Sequence, residues 1–162
     1  MSIPKSVRMV VSDFDGIFTD NTVIISEDKK ISRRISFKDV MGVSLLVKNG
    51  YLVGIISGEK NSAIEMIANN FKLTEVHQGI RNKLEVLKGI LERNNLTPDE
   101  ILYVGDDVND TECLKFAGTK FTVPNANKKI KEIENIQMTS VCGGDGAFRE
   151  IEIGRASCRE RV

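Results

Sequence analysis

The sequence predicts an α/β fold in which a parallel β-sheet is flanked by helices, and two observations support this prediction. Short apolar runs alternate with amphipathic stretches along most of the chain, which is the pattern of strands joined by crossover helices. Clusters of acidic residues follow two of the apolar runs directly. Ligands of open α/β sheets bind beyond the carboxyl ends of the strands, so these clusters mark the candidate functional edge.

Five apolar runs are predicted to be buried strands, namely Arg8–Ser12, Tyr51–Ser57, Glu75–Gln78, Ile101–Gly105 and Lys120–Val123. Helices are predicted between them near residues 40–49, 60–71, 83–95 and 110–117. The helix over 83–95 has the clearest pattern, because leucine and isoleucine recur at helical spacing with charged residues between them. Gly50 and Gly118 stand where the first and fourth helices are expected to end.

The segment at about 21–36 has a different pattern from the rest of the chain. Two runs, TVIIS and KISRRIS, flank the polar turn Glu27–Lys30, which predicts a β-hairpin. Inserted after the first strand, this hairpin would overhang the carboxyl edge of the sheet. No insertion is long enough for a cap domain, so we expect residues 1–152 to form one capless domain.

The last ten residues, 153–162 (IGRASCRERV), are interpreted as the translation of a common sequencing adapter, not as native sequence. The alternative is a basic tail that binds an acidic partner. Without this segment the chain has 20 basic and 22 acidic residues, and a slightly acidic body argues against a nucleic-acid partner. The other two cysteines, Cys113 and Cys142, lack metal-ligand or disulfide spacing and are predicted to be reduced thiols.

The composition is that of an ordinary globular protein, with 41% hydrophobic and 28% charged residues. No apolar run approaches the roughly 20 residues that a membrane span needs. The N-terminus also lacks a signal-peptide pattern. We therefore expect a cytoplasmic protein without a membrane partner.

The strongest chemical signal is the sequence DFDGIFTD at residues 13–20. Side chains alternate along an extended chain, so Asp13 and Asp15 are expected to point the same way from the end of the first strand. Gly16 allows the backbone to turn sharply after them. Taken alone, the motif also fits a simple strand end and turn.

A second acidic cluster, GDDVND at residues 105–110, follows the fourth predicted strand. Two such clusters at one sheet edge would repel each other by several kcal/mol, as an order of magnitude at low effective dielectric. A divalent cation relieves that repulsion, and an all-oxygen ligand set favours Mg²⁺.

Two further polar residues stand at strand ends. Ser57, followed by Gly58, ends the second predicted strand, where its hydroxyl and nearby N–H groups can hold a phosphate oxygen. Lys83 begins the helix after Gln78 and Gly79, where its ammonium can neutralise a transferring phosphoryl group. Each alone has an ordinary explanation, because serine before glycine often forms a turn and lysine is usually solvated. Their order along the chain favours one shared site.

Together, DFDGIFTD, Ser57, Lys83 and GDDVND resemble the four ordered motifs of the haloacid dehalogenase superfamily, over residues 7–150. The resemblance implies a Rossmann-like parallel sheet. Within the superfamily the chain resembles the small, capless phosphatases of 3-deoxy-D-manno-octulosonate 8-phosphate and of nonulosonate 9-phosphates. This narrower resemblance rests on DGIFTD, the hairpin, SFKDVMG, HQGIRNK, GDDVND and GGDGAFRE.

The resemblance implies a Mg²⁺-dependent phosphomonoesterase in which Asp13 attacks phosphorus and forms an aspartyl-phosphate. Asp15 would protonate the leaving alcohol and then deprotonate the hydrolytic water. Lys83 and Ser57 would hold the phosphoryl group, with Asp110 orienting the lysine. The implied metal group is Asp13, Asp15 through its backbone carbonyl, Asp106 and, behind them, Asp107.

For the substrate, the resemblance implies contacts from the loop Ser36–Val40. The implied contacts of the sugar acid are Lys38, Asp39, Ser57, Gly58, Glu59 and Lys60. The pair Glu59-Lys60 resembles the nonulosonate branch, because the octulosonate branch usually has Arg-Lys there. Both branches tend to have an arginine near position 67, where this chain has Ile67. An isoleucine cannot bind the carboxylate of a sugar acid.

Members of this group commonly form tetramers in which the hairpins build a central barrel and neighbouring tails close each site. The resemblance therefore implies a homotetramer, with GGDGAFRE beginning such a tail. An isolated capless domain would leave its site open to water, which also favours assembly.

Other functions fit less well. A response-regulator receiver domain carries its phosphoacceptor after a middle strand, with the lysine later, whereas here the candidate nucleophile follows the first strand. A mutase normally needs a cap domain. Two alternatives stay open. The chain could be a catalytically weak domain with an assembly role beside a sialic-acid cytidylyltransferase, or a phosphatase of other specificity. His77, the only histidine, is expected to be structural and not catalytic.

Overall fold

The computed structural model describes the backbone of residues 3–159 and the side chains of residues 3–154. The strands are β1 (Met9–Ser12), β2 (Ile24–Ile25), β3 (Ile31–Ser32), β4 (Leu52–Ile56), β5 (Glu75–His77), β6 (Ile101–Val104), β7 (Thr119–Thr122) and β8 (Gln137–Met138). Six of them form one sheet in the order β5-β4-β1-β6-β7-β8, and every pair in it is parallel. The predicted parallel α/β sheet is confirmed.

Strand β1 lies in the interior of this sheet and is buried along its whole length. Its last residue, Ser12, pairs with Ile55 of β4 on one side and with Val104 of β6 on the other. Because the strands are parallel, the residues that follow β1, β4 and β6 leave the sheet at the same edge. This register brings together segments that are far apart in the sequence.

The helices are α1 (Phe37–Lys48), α2 (Ser62–Phe71), α3 (Lys83–Asn94), α4 (Thr111–Phe116), α5 (Lys128–Lys131) and α6 (Ala147–Arg159). The first three begin at polar residues whose side chains accept a hydrogen bond from a backbone N–H of the first turn, namely Ser36, Asn61 and Asn82. Such caps satisfy donors that a helix start leaves unpaired. Short 3₁₀ turns lie at Pro98–Glu100 and Val108–Asp110.

The predicted hairpin after β1 is also confirmed. Strands β2 and β3 pair antiparallel, with Ile24 opposite Ser32 and Ile25 opposite Ile31. The apolar side chains of this hairpin are exposed, and Ile24 reaches 72%. The hairpin therefore contributes little to the core of its own chain.

The five predicted main-sheet strands and the four predicted helices all form, with bounds that differ by at most three residues. Three elements were not predicted, namely β8, α5 and α6. Runs of two and four residues carry no periodicity, and the second half of α6 falls in the segment interpreted as adapter sequence. α6 begins within GGDGAFRE and packs Phe148 and Ile151 into the core of the same chain. Its backbone continues to Arg159, while residues 160–162 of the suspected adapter segment lie outside the described residues. The adapter interpretation stays a prediction.

The helices offer no membrane-spanning segment within the part of the chain that the structure describes. None combines the length and the apolar character that a bilayer crossing requires.

Candidate active site

A cavity of about 180 Å³ opens at the carboxyl edge of the sheet, beside the ends of β1, β4 and β6. Its lining residues are Asp13, Asp15, Asn21, Ser57, Gly58, Glu59, Asp106, Asp107 and Asn109. The structure thus brings both acidic clusters and the predicted serine to one place. Two of the lining residues, Asn21 and Asn109, were not among the predicted site residues.

Asp13 leaves the end of β1 and is almost completely buried. Its Oδ1 accepts a hydrogen bond from the backbone N–H of Phe14 at 2.7 Å. The ammonium of Lys83 lies 2.9 Å from the same oxygen. Burial, together with the charge of Asp110, raises the pKa of Asp13 well above its usual range, although Lys83 acts in the opposite direction. A nearby cation, such as the ammonium of Lys83 or a metal ion, favours the ionised form of this carboxylate.

Lys83 is the first residue of α3 and is buried beneath the cavity. Its Nζ donates to Oδ1 of Asp110 at 2.8 Å. Asp110 also accepts from the hydroxyl of Tyr103 at 2.9 Å, so its position is fixed. Burial alone would lower the pKa of Lys83, but Asp110 and Asp13 hold it above its ordinary value. The lysine is a fixed positive charge at the base of the site, oriented by Asp110 as the sequence resemblance implies.

Asp106 follows β6 and approaches the loop that begins with Asp13. A Cβ atom placed on Gly16, which has a φ of +90°, would lie 1.9 Å from Oδ2 of Asp106. Burial, followed by the charge of Asp110, raises the pKa of Asp106 to about 7. Its Oδ1 is buried and has no hydrogen-bond partner among the described residues. A buried carboxylate oxygen without a partner is destabilising unless another group satisfies it.

The acidic cluster fits a divalent cation. Asp13, Asp106 and Asp110 each place one ligand atom within 4.8 Å of the others. The oxygens of Asp110 already accept from Lys83, Tyr103 and backbone N–H groups, so this residue is the least suited of the three to bind a metal. Asp13 and Asp106 are better suited to bind a metal. Oδ1 of Asp106 has no hydrogen-bond partner among the described residues, so it is available as a metal ligand. An all-oxygen set of this kind favours Mg²⁺.

Asp15 lines the cavity two residues after Asp13. Its Oδ1 accepts from the hydroxyl of Thr19 at 3.1 Å and from Nε of Arg33 at 2.9 Å. Thr19 Oγ1 also accepts from the backbone N–H of Gly16 at 3.2 Å, which holds the loop after β1 in shape. Arg33 comes from the hairpin, just beyond β3. Asp15 is therefore tied both to its own loop and to the inserted element.

Ser57 follows β4 and is also buried. Its backbone N–H donates to the carbonyl of His77 at 2.8 Å, and its Oγ accepts from the N–H of Glu59 at 3.2 Å. These bonds hold the serine hydroxyl at the cavity wall. Asp107 also lines the cavity, and its Oδ1 accepts from the N–H of Val108 at 2.7 Å. Neither Asp107 nor the carboxylate of Asp15 belongs to the three-carboxylate cluster, so their roles at the metal stay predictions.

Three predicted substrate contacts do not line the cavity, namely Lys38, Asp39 and Lys60. For Asp39 the structure shows a different role from the predicted one, because this carboxylate is fully buried. It accepts hydrogen bonds from the backbone N–H groups of Gly146, Phe148 and Arg149, at 3.2, 2.9 and 3.1 Å. Asp39 therefore fastens α1 to the start of α6. Its oxygens are occupied by these three backbone N–H groups, so its contact with a substrate stays a prediction.

Lys38 and Lys60 keep exposed side chains outside the cavity. The stem of Lys60 lies over Gly79, where a Cβ atom would come 3.0 Å from its Cε. The structure shows a single chain, so these two substrate contacts stay predictions.

His77 and Ile67 both lie away from the cavity and contribute to the packing of the fold. Nε2 of His77 lies 2.9 Å from Glu75, which also binds Arg93 and Asn94. Burial alone would raise the pKa of Glu75, but these hydrogen bonds lower it to about 2. His77 thus belongs to a cluster at the outer strand β5 and does not line the cavity, in agreement with the structural role predicted for it. Ile67 is completely buried in the core.

The residues that sequence reasoning missed had weak signals. Asn21 adopts a left-handed conformation, with φ at 67°, and asparagine is common in such turns. Its position just after DFDGIFTD was a usable signal. Arg33 had none, because Arg33 and Arg34 are adjacent and the sequence does not show which one faces the sheet edge.

Comparisons with known proteins agree with this geometry. A family model of haloacid dehalogenase-like hydrolases matches residues 51–151, more than half of the chain. The curated 3-deoxy-D-manno-octulosonate 8-phosphate phosphatase of Escherichia coli is 26% identical over 151 residues, which cover 93% of this chain and 80% of that protein.

Solved structures have the same fold. A chain from Streptomyces avermitilis, assigned to the haloacid dehalogenase family hydrolases, is 34% identical with a TM-score of 0.87, and the match covers 94% of this chain and 88% of that one. An octulosonate 8-phosphate phosphatase from Moraxella catarrhalis has a TM-score of 0.87 at 23% identity, covering 98% and 95% of the two chains. That crystal structure holds a magnesium ion, a phosphate ion and a KDO molecule.

Proposed function

The chain belongs to the haloacid dehalogenase-like hydrolase family, and from this premise we propose that it is a Mg²⁺-dependent phosphatase of a 2-keto-3-deoxy sugar acid phosphate. The first candidate substrate is 3-deoxy-D-manno-octulosonate 8-phosphate, the substrate named for the curated Escherichia coli relative. The observation that carries the proposal is the cavity in which Asp13 lies beside Lys83 and Asp106. A carboxylate nucleophile, a fixed ammonium and an ion site are what phosphoryl transfer requires.

In the proposed reaction, a carboxylate oxygen of Asp13 forms a bond to phosphorus while the bond from phosphorus to the sugar oxygen breaks. Asp15 donates a proton to that leaving oxygen. A water molecule then attacks the phosphorus of the aspartyl-phosphate, Asp15 takes a proton from it, and phosphate leaves with Asp13 regenerated. Lys83 stays charged throughout and offsets the negative charge on the phosphoryl oxygens.

Mg²⁺ would be held by Asp13 and Asp106, with the backbone carbonyl of Asp15. When bound, it would supply charge neutralisation for the carboxylates and for the transferring phosphoryl group. Ser57 and Gly58 line the same cavity, where the serine hydroxyl and the backbone at Gly58 would bind the remaining phosphate oxygens.

A nonulosonate 9-phosphate is the second candidate substrate. Glu59 lines the cavity at the position where the octulosonate branch usually has arginine. A carboxylate there favours a hydroxyl or amide of the substrate over an anionic group. The two candidates differ in the part of the sugar that lies outside the phosphate site.

We further propose a cytoplasmic homotetramer that assembles through the hairpins. The side chains that support this are Val23, Ile24, Ile25 and Ile31, all exposed and apolar. Burying them against copies of the same hairpin would remove apolar surface from water and would help to cover the site. Light scattering after size-exclusion chromatography tests this, and a monomer at micromolar concentration would contradict it.

The deciding experiment measures phosphate release with Mg²⁺ present or chelated. The substrates are octulosonate 8-phosphate, nonulosonate 9-phosphate and p-nitrophenyl phosphate. Metal-dependent release that favours one sugar acid supports the proposal and chooses the branch. No release from any of the three would favour the alternative of a catalytically weak assembly domain, and equal release from all would favour a phosphatase of other specificity.

A further inference from the structure

Arg33 of the hairpin makes a partly buried ion pair with Asp15. The distance from Nε to Oδ1 is 2.9 Å, and the two side chains are 11% and 21% exposed. An arginine this well covered gives up most of its freedom to move. The contact joins an inserted element to the proposed acid and base of the reaction.

The neighbouring arginine behaves differently. The side chain of Arg34 is 68% exposed, and its Nη2 lies 3.6 Å from Asp20 and 3.8 Å from Asp145. Exposed ion pairs at these distances contribute little. The hairpin therefore directs one arginine onto the carboxylate of Asp15 and the next one towards solvent, which makes Arg34 a matched control.

The two donors on Asp15 bind the same oxygen. Arg33 and Thr19 both donate to Oδ1, whereas Oδ2 accepts no hydrogen bond from the described residues. A carboxylate held at one oxygen from two directions cannot rotate freely about its side-chain bonds. Its second oxygen is then presented to the cavity in one orientation.

We propose that Arg33 is a positioning residue that fixes the carboxylate of Asp15 so that Oδ2 faces the leaving oxygen of the substrate. The proton passes from Oδ2 to that oxygen as the phosphorus–oxygen bond breaks, and later returns to Oδ2 from the attacking water. This inference rests on the proposed function, because it assigns a role within the same reaction. It goes beyond that function by giving the hairpin a part in catalysis within its own chain.

The role has a chemical signature. A sugar alkoxide leaves poorly and needs a proton at the moment of bond cleavage, whereas p-nitrophenolate leaves without one. Losing the orientation of Asp15 should therefore slow formation of the aspartyl-phosphate from the sugar phosphate and leave that step nearly unchanged for the aryl ester. A general loss of structure would slow both.

The experiment compares kcat/KM, which reports the steps up to formation of the aspartyl-phosphate and not its hydrolysis, for octulosonate 8-phosphate and p-nitrophenyl phosphate. The proteins are Arg33→Ala, Arg34→Ala and the unchanged protein, each with Mg²⁺ and each with its thermal unfolding measured. In Arg33→Ala, kcat/KM should fall by about 10- to 100-fold for the sugar phosphate and by less than about 3-fold for the aryl ester. Arg34→Ala should keep the ratio of the two rates. If Arg33→Ala does not fold, Arg33→Lys should show a smaller loss with the same dependence on the leaving group.

Equal losses on both esters, or no loss on the sugar phosphate, would overturn the assignment of Arg33 and leave the proposed function intact. If the unchanged protein hydrolyses neither ester, the proposed function itself is wrong, and the role of Arg33 falls with it.

Discussion

A Cβ atom on Gly16 would lie 1.9 Å from Oδ2 of Asp106, so the backbone after the proposed nucleophile Asp13 and the second acidic cluster are in direct contact. Only a residue without a side chain allows this approach. Gly16→Ala should displace Asp106 and lower kcat by about 100-fold or more, measured as phosphate release at saturating Mg²⁺.

Gly50 provides the control for this prediction. It also has a positive φ, of +82°, but nothing lies within 4 Å of its Cβ position. Gly50→Ala should therefore cost about 1 kcal/mol of stability through backbone strain and leave kcat unchanged. Equal kinetic effects of the two substitutions would contradict a specific contact at Gly16.

Asp13→Asn should abolish turnover, because an amide oxygen is a poor nucleophile. The fold should persist, since the amide keeps the size of the carboxylate and removes a buried charge that burial already disfavours. Phosphate release and thermal unfolding measure the two effects. Activity retained in this variant would show that Asp13 is not the nucleophile.

Lys83→Met should remove activity and also destabilise the protein. The ammonium lies between Asp13 and Asp110, and its loss leaves two buried carboxylates without their cation. Breaking a buried ion pair costs about 3–5 kcal/mol of unfolding free energy, which urea denaturation would measure. Lys48→Met, on the exposed last turn of α1, is the control and should change neither quantity.

The stability of the metal-free protein should depend on pH through Asp106, whose pKa is raised to about 7. The ordinary pKa of an aspartate is about 3.9, so the folded state binds this proton more tightly than the unfolded chain. The contribution of Asp106 to stability is then complete below about pH 4 and is lost as the pH rises through about 7.

Mg²⁺ should reverse this trend, because it binds the ionised carboxylate. The melting temperature should therefore rise more on adding Mg²⁺ at about pH 8 than at about pH 5. In Asp106→Asn both the pH slope and the difference in the Mg²⁺ effect should shrink. A metal-free melting temperature that rises steadily from about pH 4 to 8 would argue against the raised pKa.

Asp39→Ala should lower the unfolding free energy by about 1–3 kcal/mol, because three backbone N–H groups lose a buried acceptor. Its KM for the sugar phosphate should stay near that of the unchanged protein at a temperature where the variant is folded. A large rise in KM without loss of stability would support the substrate contact that the sequence resemblance implied. Lys38→Ala, next in the chain and exposed, should leave stability unchanged.

The parts of the site that follow strands could be predicted from the sequence. Asp13, Ser57 and Asp106 each come after a buried apolar run. Because parallel strands end at one edge of the sheet, these local patterns are enough to predict that the three residues lie close together. Arg33 and Asp39 could not be placed in this way. Arg33 depends on how the hairpin lies over the sheet edge, and Asp39 on the packing of α1 against α6. Both are contacts between elements, which periodicity within an element does not encode.

The pairing of β1 with β6, which is far away in the sequence, affects how the sheet forms during synthesis. Strand β1 is synthesised first, yet its partner β6 begins at Ile101, and the acidic residue that completes the proposed ion site is Asp106. During translation β1 therefore has one edge unpaired until residues 101–104 have also left the ribosome. Long-range parallel pairing of this kind forms slowly and leaves apolar edges open to association. Catalytic activity would thus appear only after β6 has paired with β1.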